Sequence, residues 1–129
     1  MKLPPQSDIS LEAINRKIWE HLVARGWENN KPRSLAVSIA LEANELLEHY
    51  QWSDEPVGSV EDLGEELADI FIYAFQFAQV HNIDIAAMID KKLTIAAKKY
   101  PAEQFKNKNG GERRKAWYDA KLGYKKEGL

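Results

Sequence analysis

"LEANELLEHYQW", residues 41–52, sets three glutamates into a stretch that otherwise reads as the inside of a helix bundle. At about 100° per residue, with Glu42 as origin, Leu35, Ile39, Ala40, Ala43, Leu46, Leu47 and Tyr50 fill one apolar arc. Val37 and Leu41 make a second apolar flank on the far side. Between the flanks lies one narrow polar wedge of Ser38, Glu42, Glu45 and His49. An ordinary surface helix has a single apolar stripe and a broad polar face. A helix that is apolar on two flanks is expected to have neighbours on both, with its acids turned into a shared groove.

A second segment, "GEELADIFIYAF" at residues 64–75, repeats the pattern. With Glu66 as origin, Asp62, Asp69 and Tyr73 gather on its side, and the opposite arc is Leu63, Leu67, Ile70, Phe71, Ala74, Phe75, Phe77 and Ala78. Each helix thus carries an acid pair at i, i+3, Glu42 with Glu45 and Glu66 with Asp69, a spacing that puts both groups on one face a turn apart. Four converging carboxylates would protonate or splay apart unless something compensated their charge. A hard divalent cation does so, and an all-oxygen ligand set suits Mg²⁺, with Mn²⁺ as a substitute, better than zinc or copper. The competing readings are a solvated helix face and a ferritin-like di-iron site. The latter wants Glu-x-x-His on two helices, whereas this chain has Glu45 and His49 at i, i+4 and no such motif elsewhere.

The rest of the sequence supports an all-α domain. A chain of 129 residues with 44% hydrophobic and 10% aromatic residues can bury a core, and helical periodicity runs through nearly all of it with no alternating β-branched run. Four main helices are expected: about Ser10 to Ala24, Ser34 to Tyr50, a third from just after Ser59 to about His81, and a fourth behind Asp84 to about Lys99. Ser59 with Asp62 three residues on has the form of a capping box. Cysteine is absent, which excludes disulfides and thiolate metal sites; with no signal-peptide pattern at the start, a cytoplasmic protein is expected. Apolar runs stay far short of the roughly 20 residues that cross a bilayer, so no membrane partner is expected.

The net charge of −2 hides an acidic body, residues 1–101, and a basic tail, residues 102–129. An acidic body argues against general nucleic-acid binding, which needs basic surface to neutralise phosphates. The tail holds Gly110-Gly111 and then a short helical pattern around Glu112 to Leu122. It reads as a solvated tail, or else as a basic flap near an anionic ligand or an arm on a partner subunit.

Taken in order, "RGWENNKPRSLAVSIALEANELLEHYQW", "EELADIFIYAF", "NIDI" and "KKLTIAAKKYP" resemble the MazG-like all-α nucleotide pyrophosphohydrolases, and within them the dCTP pyrophosphatase branch. The resemblance covers about residues 10–101. It implies a four-helix MazG-like bundle completed by oligomerisation, as a homodimer or a dimer of dimers. It also implies Mg²⁺-dependent hydrolysis of a nucleoside triphosphate to the monophosphate and pyrophosphate, with dCTP or a modified cytosine nucleotide as the first candidate, serving to clear the nucleotide pool. The alternative is a catalytically silent helical module that binds a nucleotide or a protein.

By position, the resemblance assigns Glu42, Glu45, Glu66 and Asp69 to the metal, with Glu45 as the candidate base on the attacking water. Trp27 and Trp52 match positions that enclose the base. A rigid aromatic in a loop can stack on a nucleobase, although either indole could instead cover the core between helices. Tyr73, on the acid stripe, would reach the ligand or a carboxylate with its hydroxyl, or else pack in the core. Lys92 and Lys99 match the phosphate-binding end of the fourth helix, where Lys98 is an equal donor and exposed lysines are the plain alternative. One departure stands out. Where the family usually has asparagine between those lysines, this chain has Ala96, which removes an amide from the phosphate or sugar side of the site.

Overall fold

The computed structural model describes residues 2–126. Among them there is no strand; the chain forms five α-helices and one turn of 3₁₀ helix. These are α1 (Leu11–Val23), α2 (Pro32–Glu48), α3 (Val60–Val80), α4 (Ile85–Lys99) and α5 (Gly110–Lys126), with the 3₁₀ turn at Ala102–Gln104. Two compact units meet in the sequence at Ile85 and Ala86. The first is built from α1, α2 and α3, and the second carries α4, the 3₁₀ turn and α5.

Local chemistry sets the helix ends. Ser10 accepts a hydrogen bond from the Ala13 N–H at 3.0 Å and starts α1. Helix α2 begins two residues before the expected Ser34, because Pro32 occupies its first turn, where a missing N–H costs nothing and the fixed φ is already helical. At α3 the expected capping box is present: Ser59 Oγ accepts from the Asp62 N–H, and Asp62 accepts from the Ser59 N–H at 2.7 Å. The tail contains a longer helix than the sequence pattern suggested. Asn109 Oδ1 accepts from the Glu112 N–H at 2.8 Å and Asn109 Nδ2 donates to Glu112 Oε1 at 2.7 Å. That cap draws Gly110 and Gly111 into the first turn of α5, ahead of the Glu112 start that the sequence pattern gave.

In the first unit α3 is the central element, packed along α2 and, over a shorter stretch, against α1. The buried apolar side chains are Leu22 of α1, Leu35 of α2, and Phe75 and Ala78 of α3. Gln79 Nε2 ties α3 to α1 by donating to the backbone oxygen and to Oδ1 of Asn15 at 2.9 and 2.8 Å. Toward the middle of α3 the pair opens into an apolar cleft of about 440 Å³ bordered by Ile14, Ile18, Phe71 and Ile72. Both flanks of α2 are partly open: Leu35 of the first arc is 2% exposed, but Leu47 of the same arc is 63% exposed, and Val37 and Leu41 of the far flank are 50% and 58% exposed.

Leu35 is therefore the anchor of α2 on α3. Leu35→Ala is expected to lower unfolding stability by about 2–5 kcal/mol, and Ser59→Ala, which removes the α3 cap, by about 1 kcal/mol. Equilibrium urea denaturation measures both.

Candidate functional site

Packing α2 along α3 turns the polar wedge of one toward the acid stripe of the other. One carboxylate oxygen from each of Glu42, Glu45 and Glu66 lies within 4.8 Å of the other two. Glu42 and Glu66 are half-buried and Glu45 is exposed. Among the described residues this is the group of acids that could hold a metal ion. Asp69, one turn beyond Glu66, is exposed and stands outside that tight group.

The electrostatics of the cluster fall on Glu42. Its carboxyl is raised from 4.5 to about 7, first by its hydrogen bond with Glu45, then by burial, and then by the charges of Glu45, Asp69 and Glu66. Its Oε2 is buried and makes no hydrogen bond. A buried carboxylate oxygen without a donor is costly, so Glu42 accommodates the crowding by keeping its proton to higher pH. The conflict expected of converging carboxylates thus falls on one residue.

His49, the last member of the α2 wedge, stands beside the cluster. Its Nε2 is 3.4 Å from Glu66 Oε1, and its Nδ1 bonds the backbone oxygen of Val57 in the loop between α2 and α3. Its pKa is raised, first by the Val57 carbonyl and next by Glu66. Asp62 is shifted the other way, held below its ordinary value by the Ser59 N–H and hydroxyl. The sequence placed His49 on the correct face of α2 without giving it a role; the signal was its seat in the wedge, four residues after Glu45.

The remaining sequence-derived residues fall in several places. Trp27 follows α1, where its N–H donates to the Leu22 carbonyl at 2.9 Å. Its indole stays 55% exposed and meets the His21 ring edge-on at 6.3 Å between centroids. Trp52 lies in the α2–α3 loop, 84% exposed, so it does not cover the core of this unit. Tyr73 is half-buried on α3, one turn past Asp69. Lys92 and Lys99 belong to α4 in the second unit, Lys92 exposed and Lys99 half-buried. There Lys99 Nζ lies 5.2 Å from the centre of the Tyr100 ring and 4.9 Å from that of Tyr124. Lys98 and Lys99 border a cavity of about 210 Å³ with Gln104 and Tyr124. Ala96 is half-buried on the same helix.

The chain resembles several known proteins. It is 32% identical over 102 residues to human dCTP pyrophosphatase 1, a match spanning 72% of this chain and 60% of that protein. Against dCTP pyrophosphatase 1 of Bos taurus the identity is 33% over 104 residues, 74% of this chain and 62% of the relative. The chain thus spans about 60% of the length of these curated relatives. The crystal structure of a pyrophosphatase from Archaeoglobus fulgidus superimposes with a TM-score of 0.60 at 28% identity, covering 78% of this chain and 99% of the other. The family model described as MazG-like matches residues 37–112, a span that begins in α2 and takes in the acid pairs of both α2 and α3. This chain belongs to the MazG-like family.

Proposed function

We propose that the protein is a nucleoside triphosphate pyrophosphohydrolase that cleaves between the α and β phosphates with the help of Mg²⁺. The observation that carries the reading is the crowding of Glu42, Glu45 and Glu66 within 4.8 Å, together with the buried, unbonded Glu42 Oε2. This donor set fits a hard cation: it is all oxygen, it carries excess negative charge, and one ligand atom already lacks a partner. Glu42, Glu45 and Glu66 would hold Mg²⁺, with Mn²⁺ able to replace it, and Asp69 would join from the next turn of α3. Such an ion, when bound, neutralises charge on phosphate oxygens and lowers the pKa of a water.

The protein's own groups have distinct tasks in this scheme. Glu45 is the exposed member of the cluster, so it can reach a water from the solvent side and take its proton. Trp52 and Trp27 offer exposed indole faces to a base. Tyr73 directs its hydroxyl to the ligand or to a carboxylate, and Lys92 and Lys99 offset phosphate charge. The relatives named dCTP pyrophosphatase 1 make dCTP, or a modified cytosine nucleotide, the first substrate to test. Ala96 in place of an amide makes the ranking of nucleotides the informative result.

The working unit is a homodimer or a dimer of dimers. Supporting this, Val37 and Leu41 on the far flank of α2 and Leu67 and Phe71 on α3 are about half exposed in the single chain, apolar surface of the kind a partner covers. No helix among the described residues is long and apolar enough to cross a membrane. Light scattering at micromolar concentration should give at least twice the mass of the chain; a monomer would contradict this part of the reading.

Glu42→Gln and Glu66→Gln are expected to lower pyrophosphate release by about 100-fold or more, and EDTA should abolish it. Release measured across ribo- and deoxyribonucleoside triphosphates, with dCTP among them, tests this; metal-independent release or full activity in either variant would refute it.

The raised groups also fix a pH dependence. Between 4.5 and about 7 the folded, metal-free protein keeps a proton on Glu42 that the unfolded chain has lost, so stability falls as pH rises through that window. His49, raised above 6.5, stabilises at low pH and loses that contribution as pH rises through its folded value. Asp62 acts only below its ordinary 3.8. The metal-free Tm should therefore fall as pH rises from 4.5 to about 7, and go on falling as His49 loses its proton. Mg²⁺, competing with the Glu42 proton, should raise Tm more at the upper end. Calorimetry with and without EDTA measures both.

A further inference from the structure

His49 is used on every side. Its backbone oxygen accepts from the Val57 N–H at 2.7 Å, and its ring Nδ1 bonds the Val57 carbonyl. A carbonyl can only accept, so Nδ1 carries a hydrogen; the Glu66 carboxylate likewise only accepts, so Nε2 donates a second one toward Glu66 Oε1 at 3.4 Å, and the ring that bridges the two is the imidazolium. The adjoining Gly58 has φ +104°, and a Cβ there would lie 3.2 Å from His49 Nδ1 and 3.0 Å from Asp62 Oδ2. The loop backbone therefore lies directly against the imidazole. Ser59 follows with its capping box, which fastens the same point to the start of α3.

Between this clasp and the end of α2 runs the segment that carries Trp52, whose next residue, Ser53, makes a local turn with Glu55 at 2.9 and 3.1 Å. A single ring thus contacts both the loop that presents the exposed indole and a carboxylate of the acid cluster. Partners of this kind orient metal-binding carboxylates, and removing them typically costs about 10–100-fold in metal affinity.

We propose that His49 is a positioning residue that fixes Glu66 for the cation through Nε2 and fixes the Trp52 loop through Nδ1. The inference rests on the proposed metal reading of the acid cluster. It has the consequence that metal binding and base recognition share one support.

The two ring nitrogens can be tested apart, because an Asn amide nitrogen stands close to the position of Nδ1 and a Gln amide nitrogen close to that of Nε2. Mn²⁺ titration by calorimetry on nucleotide-free protein reads the Glu66 side, and hydrogen exchange of a peptide spanning residues 50–59 reads the loop side. His49→Ala should weaken Mn²⁺ binding about 10-fold or more and speed exchange in the loop. His49→Asn should keep the loop protected while Mn²⁺ binding weakens, and His49→Gln should keep Mn²⁺ binding while the loop exchanges faster. A merely structural histidine would show no such division, with all three variants moving both readouts together or neither. Either pattern would overturn the inference. Glu66→Gln separates the two claims. If the wild type binds Mn²⁺ and Glu66→Gln does not, the metal reading stands whatever the His49 variants do. If the wild type binds none, both claims fall.

Discussion

The crowding of like charge between α2 and α3 governs the rest of the molecule. Glu42, Glu45 and Glu66 approach within 4.8 Å because the two helices pack along their length, with Leu35 buried at the base of the contact. Burial of that seam favours holding the helices together, and the acids on the same seam oppose it. In the metal-free protein the conflict raises the Glu42 carboxyl to about 7, so that below this pH a proton on Glu42 relieves it. A cation settles it without protonation, so the site is better suited to a bound ion than to an empty groove. The apolar packing holds the acids close, and their closeness makes a cation favourable.

The first unit can present these groups because its fold is lean. Few apolar side chains are fully enclosed, and much of the apolar surface of α2 and α3 remains open. A second copy covering those flanks would enclose the core and shield the carboxylates from water, which strengthens every electrostatic interaction among them. Assembly and catalysis would then depend on the same two helices.

Much of this was legible in the sequence because helical periodicity and capping are local. The Ser59–Asp62 box and the acid pairs at i, i+3 are patterns that a single helix turn enforces. The expected convergence of the α2 and α3 pairs is found for Glu42, Glu45 and Glu66, while Asp69 stands one turn away. The tail was less legible: its helix is capped by the side chain of Asn109, and the pattern placed the helix start only after the paired glycines. The role of His49 was hidden for a different reason. Its ring partner Val57 is held by a loop whose path depends on a left-handed Gly58, and neither periodicity nor spacing reports that path. The family resemblance supplied roles for Trp27, Trp52, Lys92 and Lys99 that residue chemistry alone would have left between binding and simple exposure.

Whether α2 and α3 together form a cation site is visible in a crystal of the protein grown with Mn²⁺ and a non-hydrolysable nucleoside triphosphate, with the metal located by its anomalous scattering. A cation site there requires a peak between the two helices, about 2.0–2.6 Å from oxygens of Glu42 and Glu66, next to the phosphate oxygens. A nucleotide bound elsewhere, or a cluster whose acids splay apart with no metal between them, would contradict it.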